Sequence, residues 1–244
     1  MDAQIMAALK KFIPAGSTLA LAWSLLAGAP AYAANPDVPH PHAGLVEPFA
    51  GAPPRAVLSP EQLQKLAAGE AILSTVEGER GGRAMAVQDV NASPETVWNR
   101  ILAFRDYPEM VKYVTECEPY SEEGNDLRVR FVLKILTFRY EYYIRHDYQP
   151  EQGYMSWTLD YTRESDLDDS VGYWAVMPHP EASDQSRVYY AIDMRTRGWM
   201  PGFLRSMIAR QGLVDATSWV KHEAEALQQR KTGTHSRKAS ALVD

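Results

Sequence analysis

One cysteine, Cys117, is all that 244 residues contain. A single thiol excludes an intramolecular disulfide and a zinc site built from several thiolates, so Cys117 reads as a small core residue. Also absent are a Gly-rich phosphate loop, a His-Glu-x-x-His pair and a Gly-x-Ser-x-Gly elbow. Their absence removes the sequence grounds for P-loop phosphate chemistry, zincin-type proteolysis and a hydrolase nucleophile. Positive charge is in deficit: 25 Lys and Arg stand against 31 Asp and Glu, a net charge of −6. That is the wrong sign for a general nucleic-acid binder. The six histidines (40, 42, 146, 179, 222, 235) are scattered. No metal, no cofactor and no catalytic residue is assigned from these features. What the chain does have is 45% hydrophobic content, enough for one sizeable globular domain.

Only one apolar run is long, and it sits at the start. Lys10 and Lys11 precede an apolar stretch from Phe12 to Leu26, then Ala31-Tyr32-Ala33 followed by Ala34-Asn35. A positive end, an apolar middle and small residues at −3 and −1 predict a secretory signal over residues 1–33, cleaved after Ala33. Pro14 and Gly16 interrupt the run, which is short for a membrane span. The expected destination is outside the cytoplasm: a periplasm, a thylakoid lumen or the exterior. Residues 34–58 are proline-rich without apolar periodicity and predict an extended or disordered linker.

From residue 59 the punctuation becomes regular. Ser59-Pro60-Glu61-Gln62 predicts a capped short helix, and Ser93-Pro94-Glu95-Thr96 a second one with Val97, Trp98, Ile101, Leu102 and Phe104 as its stripe. Strands are expected at 72–79 and 83–90 around a Gly81-Gly82 turn, and at 114–123. The clearest pattern runs from Asn125 to Asp147. Leu127, Val129, Phe131, Leu133 and Ile135 alternate with Arg128, Arg130 and Lys134. Tyr140, Tyr142, Ile144 and His146 then continue on a shifted phase. Period two means strands, and the phase break at Leu136-Thr137 predicts a tight turn or a bulge. Further strands are expected at 154–161, 170–177 and 187–196, with an acidic solvent loop at 162–169. Residues 201–227 predict a helix of roughly 40 Å that covers the dry face of the sheet. Residues 229–244 are expected to be a disordered tail.

The wording Val90-Asn91-Ala92-Ser93-Pro94-Glu95-Thr96-Val97-Trp98, then Tyr107-Pro108-Glu109-Met110, then meandering strands and a long C-terminal helix, resembles the START-like (SRPBCC) superfamily. Within it the chain is most similar to the coenzyme Q-binding and polyketide-cyclase-like branch. The resemblance implies an α+β helix-grip fold over residues 59–228: a curved antiparallel sheet around a long helix, leaving an apolar cavity. It also implies a hydrophobic small-molecule ligand, such as a lipid or prenylquinone, and no catalytic signature common to the superfamily.

Large rings with polar tips suit such a cavity. The expected ligand-binding residues are Phe131, Tyr140, Tyr142, His146, Trp157, Trp174 and Tyr189, with Met207 and Val214 from the helix. Arg197, Trp199, Met200 and Phe203 mix a cation with large apolar side chains, as a membrane-touching lid would. The competing expectation is a cyclase- or aromatase-like enzyme using His146, Asp160, Asp193 or a tyrosine for acid–base work. Convergence of those groups in the cavity would favour it, and a filled core would favour an interaction scaffold. Oligomeric state is left open.

Overall fold

Alternation in the middle of the chain becomes a meander of strands, and the serine caps before it start helices. The computed structural model describes residues 34–49, 51–53, 57–78, 81–197 and 213–240. Helix α1 (Pro60–Ala67) starts where Ser59 Oγ accepts the Gln62 N–H at 3.2 Å and Gln62 Oε1 accepts the Ser59 N–H at 2.9 Å, a reciprocal cap that satisfies two helix-end donors. Strands β1 (Ile72–Gly78) and β2 (Gly81–Val90) pair with Gly78 opposite Gly81. Gly81-Gly82 is therefore not the turn but the start of β2. Helix α2 (Pro94–Ile101), capped by Ser93, leads through a 3-10 turn at Phe104–Asp106 into the one-turn α3 (Tyr107–Met110).

Then come β3 (Val114–Glu123), β4 (Asp126–Ile135) and β5 (Phe138–Gln149). The phase break is a two-residue hairpin turn: Ile135 pairs with Phe138, and Leu136 adopts φ 57°. Left-handed backbone at a non-glycine residue is the conformation such tight hairpins require. The remaining elements are β6 (Tyr154–Leu159), β7 (Leu167–Pro178), β8 (Ser186–Thr196) and the long helix α4 (Leu213–Ser240). All pairings are antiparallel, in the order β1-β2-β8-β7-β6-β5-β4-β3. This is the expected α+β helix-grip arrangement. Helix α4 is tied to the sheet and to α2 by polar contacts: Gln88 Nε2 donates to the Thr217 carbonyl at 2.7 Å, and Thr96 Oγ1 donates to Gln228 Oε1 at 2.7 Å.

Three expectations change. The helix does not end near Leu227; its backbone continues to Ser240, because Gln228 and Lys231 are anchored on Thr96 of α2. The acidic loop at 162–169 is not a solvent loop: Ser165, Asp166, Asp168 and Asp169 are buried. What buries them is the supposed linker. Residues 34–49 lie along this loop as a strap, with Glu164 N–H donating to the Asn35 and Val38 carbonyls and His40 N–H to the Tyr161 carbonyl. Val46 N–H donates to Asp169 Oδ2 at 2.6 Å, and the Phe49 ring meets Tyr173 edge-on at 4.9 Å. The Asp166 and Asp169 carboxylates tolerate burial because backbone N–H groups satisfy them, Glu141 on the first and Val46 and Ser170 on the second. His40 and His42, which both reach the Asp168 carbonyl through Nε2, belong to this latch.

The core is consequently double. On one face of the sheet Trp98, Ile101, Phe104, Tyr107, Trp219, Val220 and Ala224 pack from the helices against Val129, Ile144, Leu159 and Val188. On the other, Leu66 and Phe49 pack against Val87, Tyr154, Tyr173, Ala175 and Tyr189.

Candidate ligand-binding cavity

The helical face of the sheet does not close on itself. Strand parity sends Phe131, Tyr142, His146, Trp157, Trp174 and Tyr190 toward the helices, where they line an apolar cavity of about 290 Å³. That lies at the small end of ligand sites, which run from about 300 to 1,000 Å³. Phe104 and Tyr107 line it from the α2–α3 connection, and Leu213 and Trp219 from α4. The rings support one another: Phe131 stacks on Tyr142 at 5.4 Å, Trp174 tilts against Tyr190 at 4.5 Å, and Tyr107 meets Trp219 edge-on at 4.9 Å.

Trp157 can lie against the cavity floor because Gly172 faces it from β7. A Cβ at Gly172 would fall 2.2 Å from Trp157 Cζ2 and 2.4 Å from the Ala191 carbonyl oxygen. The missing side chain is therefore part of the cavity's shape.

Polar groups inside are few and neutral. His146 is 4% exposed, and its Nδ1 lies 3.1 Å from the Leu127 carbonyl. A carbonyl only accepts, so Nδ1 carries the proton and Nε2 presents a bare lone pair. Burial pushes the His146 pKa down to about 4, against the smaller opposing pull of that carbonyl. The ring is an uncharged acceptor at neutral pH. Burial likewise raises the phenols of Tyr142, Tyr190 and Tyr107, so they remain donors. The Tyr107 hydroxyl is committed to the Ile101 carbonyl at 2.6 Å. The Cys117 thiol, close to Tyr107 and Tyr142, is pushed up by burial as well and stays inert.

Formal charge is found where the cavity meets solvent. The Arg83 side chain is 72% exposed and pairs with Asp193 at 2.8 Å, and the Lys112 ammonium lies 3.2 Å from Asp215. Thr75, Val76 and Tyr113 line the same region. Thr196, at the end of β8, and Leu213, at the start of α4, both line the cavity too.

The expected site residues sort as follows. Phe131, Tyr140, Tyr142, His146, Trp157 and Trp174 line the cavity. Tyr189 does not: it belongs to the cluster on the opposite face with Leu66 and Val87, and its neighbour Tyr190 takes the inward position. Val214 is 37% exposed, and helix phase instead brings Leu213 and Trp219 to the wall. Met207, Trp199, Met200 and Phe203 lie outside the described residues. Arg197 is not an open cation, since its Nη1 donates to Glu164 Oε1 at 2.6 Å.

The two aspartates of the acid–base set do not join His146 and the tyrosines in the cavity. Asp160 is held on the outer face by the Tyr120 hydroxyl at 2.7 Å, by Thr162 and by Arg128. Asp193 points away from the cavity toward Arg83, between the cavity-lining Ile192 and Met194. Phe104, Tyr107 and Trp219 are among the wall residues not singled out. Tyr107 sits in the Tyr-Pro-x-Met wording, and Trp219 shares the helix stripe with Val220 and Ala224, which could have pointed to both.

Residues 90–217 match the family model described as polyketide cyclase / dehydrase and lipid transport. Among solved structures, the STAR-related lipid transfer protein from Xanthomonas axonopodis superposes with a TM-score of 0.51 at 11% identity, over 63% of this chain and 92% of that one. A protein from Thermus thermophilus gives a TM-score of 0.50 at 18% identity, over 59% of this chain and 98% of that one. The Zhui aromatase/cyclase from a Streptomyces species gives 0.49 at 14% identity, over 66% and 96%. Such identities speak for the fold alone. No curated protein matches the sequence.

Proposed function

The chain belongs to the polyketide cyclase / dehydrase and lipid transport family, and we propose that it binds and carries a neutral hydrophobic small molecule without transforming it. One observation carries this reading: an apolar, aromatic-walled cavity whose inner polar groups are uncharged and do not form a catalytic set. Burial is the driving force. At about 25 cal/mol per Å² of apolar surface, a ligand hiding several hundred Å² gains on the order of 10 kcal/mol before entropy and desolvation are subtracted. Orientation comes from His146 Nε2, which accepts a hydrogen bond from a ligand hydroxyl, and from the Tyr142 and Tyr190 hydroxyls, which donate to a ligand oxygen. Among the described residues, a carboxylate or phosphate head would find no cation at depth and would have to remain near Arg83 or Lys112. Export through the N-terminal signal, and ligand entry past a membrane-touching lid formed by Trp199, Met200 and Phe203, are part of the proposal.

A second reading, cyclase-like proton transfer, rests on His146 and the cavity tyrosines Tyr142 and Tyr190, since Asp160 and Asp193 stand elsewhere. Native mass spectrometry of protein purified gently from its own source decides between them. A stoichiometric apolar compound that is released unchanged supports carriage. An empty protein that takes up no quinone or lipid refutes it.

A further inference from the structure

The strap begins at a carboxylate that, among the described residues, has no counter-ion of its own. Asp166 is 9% exposed, and its Oδ2 accepts the Glu141 N–H at 2.7 Å. The backbone N–H of Ala34 also hydrogen-bonds this carboxyl group. Next to Ala34, Asn35 offers its carbonyl to Glu164 N–H at 3.0 Å, and Val38 does the same at 2.8 Å. The first residues of the strap are therefore seated on the loop that contains Asp166. The charges of Glu141 and Arg139 on β5 act on it, and Arg197 reaches the neighbouring Ser165 carbonyl at 3.3 Å and Glu164 at 2.6 Å. Arg139 is engaged with Glu141 at 2.7 Å, as is Arg130 at 2.6 Å. Among the described residues, Asp166 thus has two backbone donors but no direct ion-pair partner. Burial and the Glu141 charge raise its pKa, as expected for a carboxylate short of a cation.

The sequence supplies that cation at the atom already in place. The small-residue signature Ala31-Tyr32-Ala33 marks the Ala33–Ala34 peptide bond for cleavage. Hydrolysis breaks the C–N bond and adds one water. The hydroxyl goes to the Ala33 carbonyl carbon, leaving a carboxylate on the released peptide. The Ala34 nitrogen ends as an α-ammonium at neutral pH. We propose that the Asp166 carboxylate is the receptor for this new N-terminus, so that removal of the signal completes the folded domain. The amide N–H that meets Asp166 becomes a charged donor, and charge-assisted hydrogen bonds are roughly twice as strong as neutral ones. Processing then locks the strap onto residues 160–169, where Glu164 holds Arg197 and where Leu167 begins the cavity wall. This inference is independent of what the cavity binds.

The test compares a chain beginning flush at Ala34 with one carrying two extra glycines, each with and without Asp166→Asn. Calorimetry at pH 7 should show the flush chain melting at least about 4 °C above the extended one. The gap should vanish in the Asp166→Asn pair. Equal melting of the flush and extended chains, or a gap that survives Asp166→Asn, overturns the proposal. If Asp166→Asn does not fold, the wild-type gap is followed from pH 7 to about 9.5, across deprotonation of the α-amino group. The groups packed around the site stay silent in that range: Arg130, Arg139 and Arg197 keep their charge, burial holds His40 neutral, burial and the Asp166 charge raise the Tyr140 phenol, and Tyr143 and Tyr161 are pushed up to about 12. The gap should close with rising pH; a constant gap refutes the ion pair. N-terminal sequencing of protein from its own source should begin at Ala34, and any other start removes the basis of the inference.

Discussion

Substituting Gly172 with alanine tests whether the cavity is a designed space or a packing leftover. The new methyl would sit 2.2 Å from Trp157 Cζ2 and 2.4 Å from the Ala191 carbonyl oxygen. Carbon atoms settle at about 3.5–4.0 Å, so a gap of at least about 1.3 Å must open. The Ala191 carbonyl belongs to the β7–β8 ladder and cannot retreat without loss of pairing. The indole can move, and the space open to it is the cavity, past Tyr190 and His146. Overpacking of this kind costs about 1–3 kcal/mol, a fall in Tm of roughly 3–10 °C for a domain of this size. The ligand suffers as well. If the displaced ring takes the place of two ligand methylenes, about 1.6 kcal/mol of burial is lost and affinity falls about 15-fold. Titration with the neutral probe N-phenyl-1-naphthylamine, alongside thermal melting, measures both. A Gly172→Ala protein with unchanged Tm and unchanged probe affinity would show that Trp157 does not bound a binding space.

Replacing His146 with phenylalanine should leave naphthalene binding unchanged and weaken 2-naphthol by about tenfold, the worth of one hydrogen bond; equal effects on both ligands would sink its role as acceptor. His146 also sets a pH response. Its folded pKa of about 4 lies below the ordinary 6.5, so the unfolded chain binds a proton first. Stability should fall between about pH 6.5 and 4, by up to about 3 kcal/mol, and urea denaturation of His146→Phe should show that part of the curve flattened. Glu141 titrates lower. Burial acts to raise its pKa, but hydrogen bonds from Arg130, Tyr143 and Arg139 win and hold it at about 2. Its stabilisation is therefore present above the ordinary 4.5 and lost as pH falls toward 2, and Arg130→Met should remove about 1–3 kcal/mol at pH 7 in the same assay. Serine at both Trp199 and Phe203 should abolish liposome flotation while circular dichroism stays unchanged; retained flotation refutes the membrane lip.

The hairpin of β4 and β5 was legible almost residue by residue, because one buried face enforces a period of two and its phase break marked the turn at Leu136-Thr137. The caps at Ser59 and Ser93 were legible for the same local reason. Facing was harder. Tyr189 and Tyr190 are adjacent on a strand, so one must face each core, and with both sides of the sheet covered nothing local says which. Val214 was misplaced by the corresponding ambiguity of helix phase. The strap escaped notice altogether. It is held by backbone hydrogen bonds and histidine rings, neither of which leaves a hydrophobic period, and it buries carboxylates that composition alone assigns to solvent.

The strand order also carries a kinetic meaning. From β3 to β8 the chain pairs each strand with the next, by short connections. The β2–β8 seam instead joins Ala84 to Ile192, residues from opposite ends of the folded sequence. Loop closure of that length forfeits chain entropy before any contact is gained, which makes such pairings slow. The meander should therefore zip first and the seam last, and pulse-labelled hydrogen exchange should protect Val129 before Ala84; the reverse order would contradict this. Because Ala84, Ile192 and Met194 line the cavity, its enclosure would be the final event of folding, and a ligand present at that moment could be captured as the seam closes.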